Sequence, residues 1–340
     1  MKLLVTGGSG FIGSNFIKFW FANHPDDSIV NLDKMTYAAN PRNLTEFEGK
    51  SNYKFVKGDI LDQNLVDELV SQVDAIIHFA AESHVDRSID DPSLFVRTNV
   101  LGTYNLLMSA KKYNVRFHHI STDEVFGSIP FNSDEQFSES TSYDPSSPYS
   151  ASKASSDHLV RSFYKTFGLA VTISNCSNNY GPYQHPEKMI PRSITNLLTN
   201  QKIKVYGEGL NFRDWLHVED HCRAIELILL KGKIGETYCI GGLKKGTSNM
   251  ELVKLILELM GKDESSLEHV ADRPAHDNYS VNWDKIKKDL GWEPKYTLET
   301  GLQQTINWYT GNSQWWQETK TEAEEFYKKL NKEKNEFYKK

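Results

Sequence analysis

The sequence predicts an α/β protein: a Rossmann-type doubly wound parallel sheet joined to a smaller, mixed α/β lobe. Three observations predict it. Short apolar runs alternate with helical patterns through the first half of the chain, as strands and crossover helices do. Gly7, Gly10 and Gly13 follow the first apolar run and lead into the first helical pattern. Asp33 closes the second run, twenty residues after Gly13.

The elements follow in order. Runs at 3–6, 28–32, 53–58, 74–80, 116–121 and 170–175 are β-rich and short enough for buried strands. Helical patterns lie near 11–22, 62–70, 92–112 and 148–167. After residue 176 helical patterns near 187–199, 218–231, 247–260 and 297–310 alternate with shorter strands, punctuated by Pro, Gly and Asn. The expected division is a dinucleotide-binding domain at 1–175, with later segments crossing back to it, and a second lobe at 176–315. The charged tail at 316–340 is expected to be a solvated helix or a frayed end.

Composition narrows the function classes. Of 340 residues, 25% are charged and 39% hydrophobic, ordinary for a globular chain, and the net charge of −6 gives no basic bias toward nucleic acid. No apolar run reaches the length of a membrane span. The first glycine follows only six residues, too few for a secretory apolar region. Cys176, Cys222 and Cys239 are scattered singly, which fits buried thiols in the reducing cytoplasm and no metal site.

The opening "KLLVTGGSGFIGSNF" has the physics of a phosphate cradle. Glycines permit a tight turn, and backbone N–H groups at the helix start approach a pyrophosphate. The carboxylate of Asp33 suits ribose hydroxyls and repels a 2′-phosphate, so NAD is expected over NADP, with Lys34 as the one contrary sign. In "SPYSASK", Tyr149 and Lys153 lie four apart and share a helix face. An ammonium there is expected to lower the phenol's pKa, so that Tyr149 can take a proton from a hydroxyl while a hydride departs for nicotinamide. "ISTDEVFG" at 120–127 places Thr122, Asp123 and Glu124 together at a strand end. Adjacent carboxylates in a closed site separate in proton affinity; the residues themselves do not say which one keeps the proton.

The glycine loop with Y-x-x-x-K resembles the extended short-chain dehydrogenase/reductase superfamily. Within it, "AAESHVDRSI" (80–89), "STDEVFG", "NCSNNYGPYQHPEKMIP" (175–191), "RDWLHVEDH" (213–221) and "DRPAHD" (272–277) resemble the dTDP-glucose 4,6-dehydratase family, from residue 1 to about 310. The resemblance implies C4 oxidation of a nucleotide-linked glucose, loss of water across C5 and C6, and hydride return to C6, a step of deoxysugar (rhamnose among others) biosynthesis. Glu124 would be the base at C5, Asp123 the acid for the leaving hydroxyl, and Thr122 the hydrogen-bonding partner of the C4 oxygen beside Tyr149 and Lys153.

The same resemblance extends the cofactor site to Phe11 and Ile12 in the glycine loop. Lys34, Met35 and Thr36 would surround the adenosine ribose, and Asp59 and Ile60 the adenine. Ala80, Ala81, Ser83 and Thr98 would line the middle, with Asn179 at the nicotinamide. For the nucleotide-diphosphate sugar it implies His84, Thr122, Asn178, Lys188, Met189, Lys204, Val205, Tyr206, Arg213, Asn249, Asp272, Arg273 and His276. It also implies a homodimer joined through the helices near 92–112 and 148–167, with no nucleic acid or membrane partner.

The chain departs from the family pattern at Ala275, at Asn278-Tyr279, at His217 and in the loop "GGLKKGTSN", all expected on the nucleotide–sugar side. UDP-glucose and UDP-N-acetylglucosamine therefore stay open as substrates of the same dehydration. A 4-epimerase or decarboxylase would not need the Asp123–Glu124 pair, and a non-catalytic NAD-binding protein would not need Thr122, Tyr149 and Lys153 together.

Overall fold

The computed structural model describes residues 1–130, 133–271 and 277–337, with the backbone alone for 326–337. The six expected strands form: β1 (Lys2–Thr6), β2 (Ser28–Asp33), β3 (Tyr53–Lys57), β4 (Ala75–His78), β5 (Arg116–Thr122) and β6 (Val171–Cys176). Short strands follow at β7 (Asn178–Tyr180), β8 (Ile203–Tyr206), β9 (Phe212–Arg213), β10 (Trp215–His217), β11 (Thr237–Ile240), β12 (Thr247–Ser248) and β13 (Leu267–Val270). The main sheet is seven-stranded in the order β11-β6-β5-β4-β1-β2-β3, and every pairing in it is parallel. Strand order reverses between β1 and β4, and a ligand crevice opens at the strand C-termini there.

Helices cover both faces: α1 (Phe11–Asn23), α2 (Gln63–Val70), α3 (Val85–Asp90), α4 (Pro92–Phe95), α5 (Thr103–Tyr113), α6 (Pro148–Phe167), α7 (Met189–Leu198), α8 (Val218–Lys231), α9 (Asn249–Leu259), α10 (Asp284–Leu290), α11 (Leu298–Gly311) and α12 (Ser313–Phe337). One apolar layer joins Leu4, Ile76 and Phe117 of the sheet to Leu106, Val160 and Phe163 of α5 and α6. The other joins Leu3, Val5 and Ile77 to Phe16 and Trp20 of α1 and to Cys222 and Ile225 of α8. Chain beyond 176 thus packs on the main sheet, through α8 on one face and through β11 at its edge.

The pattern near 92–112 is several pieces rather than one helix. Asp91 caps Ser93 and Leu94, Pro92 starts α4, and a π-helical segment at Val96–Gly102 precedes α5. Within this segment Thr98 lines the crevice and Asn99 is buried behind it. Asn99 Nδ2 donates to Glu82 O at 3.0 Å and to Ser152 Oγ at 2.8 Å, which ties the loop after β4 to α6.

The second lobe packs α7, α9 and α11 around Ile190, Ile194, Leu252, Ile256 and Tyr309. The tail differs from expectation in its described part. Trp315, Trp316 and Ala323 of α12 are buried in the lobe's core, and Arg192 of α7 grips Glu324 with Nε and Nη2 at 2.9 and 3.0 Å. High overall charge hid one apolar stripe, which tertiary packing buries. No described helix is long and apolar enough to cross a membrane.

Candidate active site

The cofactor-side cleft, about 320 Å³, opens at the end of β1. Gly7 has φ +71°, and a Cβ there would sit 2.6 Å from the Ala80 backbone nitrogen. A Cβ on Gly13 would sit 2.4 Å from Gly7 O. Both sites therefore keep the turn open for backbone N–H groups to reach a pyrophosphate. Asp33 ends β2, buried, and accepts from the N–H groups of Ser9 at 2.9 Å and Met35 at 2.7 Å. Lys34 turns to Asp59, with Nζ 2.8 Å from Oδ2. The cation that stood against NAD in the sequence is thereby paired with a carboxylate.

Nearly every residue expected around NAD lines this cleft: Gly7, Gly10, Phe11, Ile12, Gly13, Asp33, Lys34, Thr36, Asp59, Ile60, Ala80, Ala81, Ser83, Thr98, Tyr149, Lys153 and Asn179. Met35 does not line it; its backbone, at φ +60°, serves the Asp33 carboxylate instead.

The strand end of β5 meets the start of α6 beside this cleft. Ser147 caps α6 reciprocally with Ser150 and Pro148 fills the first turn, so Tyr149 and Lys153 project from a well-fixed helix start. Thr122 Oγ1 donates to Asp123 Oδ1 at 3.3 Å and accepts from Glu124 N at 3.2 Å. Asp123 is 1% exposed and its Oδ2 has no hydrogen-bond partner among the described residues. Burial, then the neighbouring carboxylates of Glu124 and Asp214, hold its pKa well above the usual carboxylate range. Glu124 lines both clefts.

The phenol departs from expectation. Burial and the Glu124 carboxylate push the Tyr149 pKa up, with the Thr122 hydroxyl pulling the other way. The Lys153 ammonium, itself brought down to about 8 by burial, donates to Ile120 O at 2.7 Å. Four-residue spacing places the pair on one face, but burial of the phenol, then the Glu124 anion beside it, decides the direction.

The adjoining substrate-side cleft is about 250 Å³. His84, Asn178, Lys188, Met189, Lys204, Val205, Tyr206, Arg213 and Asn249 line it, as expected, and Thr122 lies on the cofactor side of Glu124. The acceptors Asn178 Oδ1 and Asn249 Oδ1 are buried without partners among the described residues, which suits donor groups of a ligand. The Arg213 guanidinium lies 4.7 Å from the Tyr279 ring centroid and donates to Phe212 O at 2.9 Å. Asp272, Arg273 and His276, and the departure at Ala275, lie outside the described residues.

Of the other departures, His217 and Asn278 line neither ligand cleft, while Tyr279 and Asn249 at the end of the loop do. His217 lines neither cleft; it caps α8, and its ring packs 3.9 Å from that of Tyr296. This corrects its expected place on the sugar side, because β10 turns its C-terminal end toward α1 and α11. Asn278 is buried in backbone bonds, accepting from Phe212 N at 3.1 Å and donating to Ile129 O at 3.3 Å. Tyr279 does line the cleft.

Sequence reasoning missed Glu187. It is buried, lines both clefts and lies 3.7 Å from Arg87 and 3.8 Å from His84 and His185. It stands inside the quoted 175–191 stretch, next to Lys188, but a glutamate in a polar segment carries no signal of burial. Among the described residues no His/Cys/Asp/Glu cluster could hold a metal.

A glycine cradle at a sheet switch point, a ribose-side acid and a Thr–Tyr–Lys set beside paired acids define an enzyme of the extended short-chain dehydrogenase/reductase class. The GDP-mannose 4,6 dehydratase family model matches residues 4–305. The chain is 48% identical over 329 residues to a dTDP-glucose 4,6-dehydratase of Mycobacterium tuberculosis, covering 96% of this chain and 98% of that one. It is 48% identical over 348 residues to one from Escherichia coli, covering 93% and 96%. The crystal structure of the Streptomyces venezuelae dTDP-glucose 4,6-dehydratase with NAD and dTDP bound superposes with a TM-score of 0.90 at 48% identity, over 94% of this chain and all of that one. The UDP-glucose 4-epimerase of Thermotoga maritima shares the fold at a TM-score of 0.84 and 28% identity, over 92% and 100%. The chain belongs to the dTDP-glucose 4,6-dehydratase family.

Proposed function

We propose that this protein converts dTDP-glucose to dTDP-4-keto-6-deoxyglucose with NAD regenerated in each turnover. The carrying observation is the acid pair: Asp123 is buried and held toward its protonated form, while Glu124 faces both clefts beside Tyr149. An epimerase has no water to expel and no use for that pair. Relatives of the same name at 48% identity support the thymidine substrate. UDP-sugar dehydration is the second reading, and the positions of His217 and Asn278 outside the ligand clefts weigh against it.

NAD, when bound, accepts the C4 hydride and returns it to C6. Tyr149, in the ionised form that the Thr122 hydroxyl favours, takes the C4 hydroxyl proton. The 4-keto group then makes the C5 proton acidic; Glu124 removes it and gives a proton back to C5 when the hydride reaches C6. Asp123 protonates the C6 hydroxyl as it leaves, which needs the neutral carboxyl that burial favours. The Glu124 anion, after burial, raises the Tyr149 pKa, so the proton transfers at these two groups are coupled. Lys188 and Arg213 suit the diphosphate, and the segment Lys204–Tyr206 the base.

A homodimer is part of this proposal. Ile89, Leu94, Val96, Leu101, Tyr104 and Met108 are exposed along the segment from α3 to α5, and Tyr164 and Phe167 on α6. So many exposed large apolar side chains on adjoining helices support a face covered by a second copy. Three buried free thiols support a cytoplasmic location. Incubation with dTDP-glucose, UDP-glucose and UDP-N-acetylglucosamine, followed by NMR, tests the reading. A 4-keto-6-deoxy product from dTDP-glucose is expected; none from any of the three would sink it.

A further inference from the structure

Tyr149, Lys153 and Asp157 recur at four-residue steps along one face of α6, and of the three Asp157 is the one that neither the expected Tyr–Lys pair nor the reaction above employs. Asp157 is fully buried, a costly place for a carboxylate unless it is well bonded. Its Oδ2 accepts from Tyr143 OH at 2.7 Å, Ser121 Oγ at 2.9 Å and Asn175 Nδ2 at 3.2 Å, and His119 Nε2 lies 3.2 Å from Oδ1. Asn175 Nδ2 also donates to Thr122 O at 3.1 Å. Lys153 holds Ile120 O. Three consecutive residues of β5, ending at Thr122, are thus held by Lys153, Asp157 and Asn175.

We propose that Asp157 is a positioning residue, anchoring the strand end behind Thr122 and supplying the anion that faces the buried Lys153 ammonium. The other titratable groups around the pair come from every packed element: His78 of β4, His119 of β5, Cys176 of β6, Tyr143 of the loop before α6, and Tyr149 and Arg161 of α6 itself. Burial keeps His78 and His119 neutral, and pushes the Cys176 thiol up to about 12 and the Tyr143 phenol well up. Arg161 is engaged with Tyr143 OH at 2.8 Å. Asp123 and Glu124 act on Cys176 and Tyr149, and Asp157 is the carboxylate that acts on Lys153. Burial brings Lys153 down to about 8, and Asp157 is the largest influence in the other direction. Burial also pushes Asp157 up, but its His119 and Tyr143 contacts and the charge of Lys153 outweigh this and leave it below the usual range.

The kinetic test rests on the dehydratase reading. We expect kcat/KM for dTDP-glucose to fall on the alkaline side as Lys153 loses its proton. Asp157→Asn should move that limb to lower pH by about one unit, and Asp157→Glu should keep it in place. A purely structural role would lower the rate at every pH without moving the limb, and an unmoved limb in D157N overturns the proposal. Thermal unfolding of D157N, K153M and the double variant needs no substrate. Facing charges predict a double variant that loses less than the sum of the singles, or that folds where D157N does not; additive losses, or a double variant as unfolded as D157N, overturn it. A wild-type protein that makes no product refutes the dehydratase reading, while the unfolding comparison still decides the role of Asp157.

Discussion

The backbone N–H of Glu124 donates to Thr122 Oγ1 at 3.2 Å, and that short turn sorts two adjacent carboxylates. Asp123 turns inward, 1% exposed; Glu124 faces the ligand clefts. Burial, with the Glu124 and Asp214 carboxylates beside it, thereby holds Asp123 toward its protonated form.

Asp123→Asn should keep C4 oxidation and lose the proton donor for elimination. Product formation should drop by about 10²- to 10⁴-fold, with enzyme-bound NADH building up in a single turnover. Stopped-flow absorbance of NADH reads this directly. Normal elimination in D123N would remove Asp123 from the acid's role.

Glu124→Gln should lose the base at C5. Turnover should fall by a similar factor of about 10² or more, and deuterium from solvent should no longer appear at C5 of recovered sugar. Because the Glu124 anion helps raise Tyr149, the phenol should also become easier to ionise in E124Q. An alkaline difference spectrum of the tyrosines, with Tyr149→Phe as the control, checks that shift.

Gly7→Ala should disable the cofactor cradle. Its φ of +71° costs a side-chain-bearing residue about 1–3 kcal/mol, and the added Cβ meets backbone at 2.6 Å. We expect NAD affinity to weaken by about tenfold or more by calorimetry, with the fold retained by circular dichroism.

Acid should destabilise the protein between roughly neutral pH and pH 4. Burial holds His119, His185 and His217 at about 4 and His221 at about 3, with His78 and His118 also depressed. Below the ordinary value of 6.5 the unfolded chain binds protons that these folded-state rings refuse, so stability is full above 6.5 and falls as pH drops. Asp214, raised to about 7 by burial, and Asp123 work in the opposite sense, since the folded form keeps protons that the unfolded chain releases. Burial raises Asp33, Glu82 and Asp220 as well, yet six rings outnumber these five carboxyls, so the net slope is positive: Tm should fall from pH 7 to pH 5 in calorimetric scans.

Val96→Asp with Leu101→Glu should abolish dimerisation if the exposed α3–α6 face is the subunit contact. Light scattering should then give the mass of one chain, with NAD still bound, because neither residue lines a ligand cleft.

Local signals made much of this site legible. Glycine spacing after a β-rich run predicts the cradle because only a glycine-lined turn admits a pyrophosphate there. Tyr149 and Lys153 could be paired because helical spacing fixes which side chains share a face. Thr122, Asp123 and Glu124 stood out because acids at a buried strand end are costly. Glu187 and Asp157 did not stand out: their partners, Arg87 and His84 for one, Ser121 and Tyr143 for the other, come from distant parts of the chain.

By itself the sequence determined the doubly wound sheet, the dinucleotide cradle and the residues able to perform acid–base chemistry, since each follows from periodicity or short spacing. Only the tertiary structure decided how those groups are poised. It buried Asp123 and turned Glu124 outward, raised Tyr149 where helix spacing alone favoured lowering it, paired Lys34 with Asp59, carried His217 away from the sugar and docked Trp315 and Trp316 into the lobe. Proton affinity and burial depend on every neighbour within a few ångströms, and most of those neighbours arrive from elsewhere in the chain.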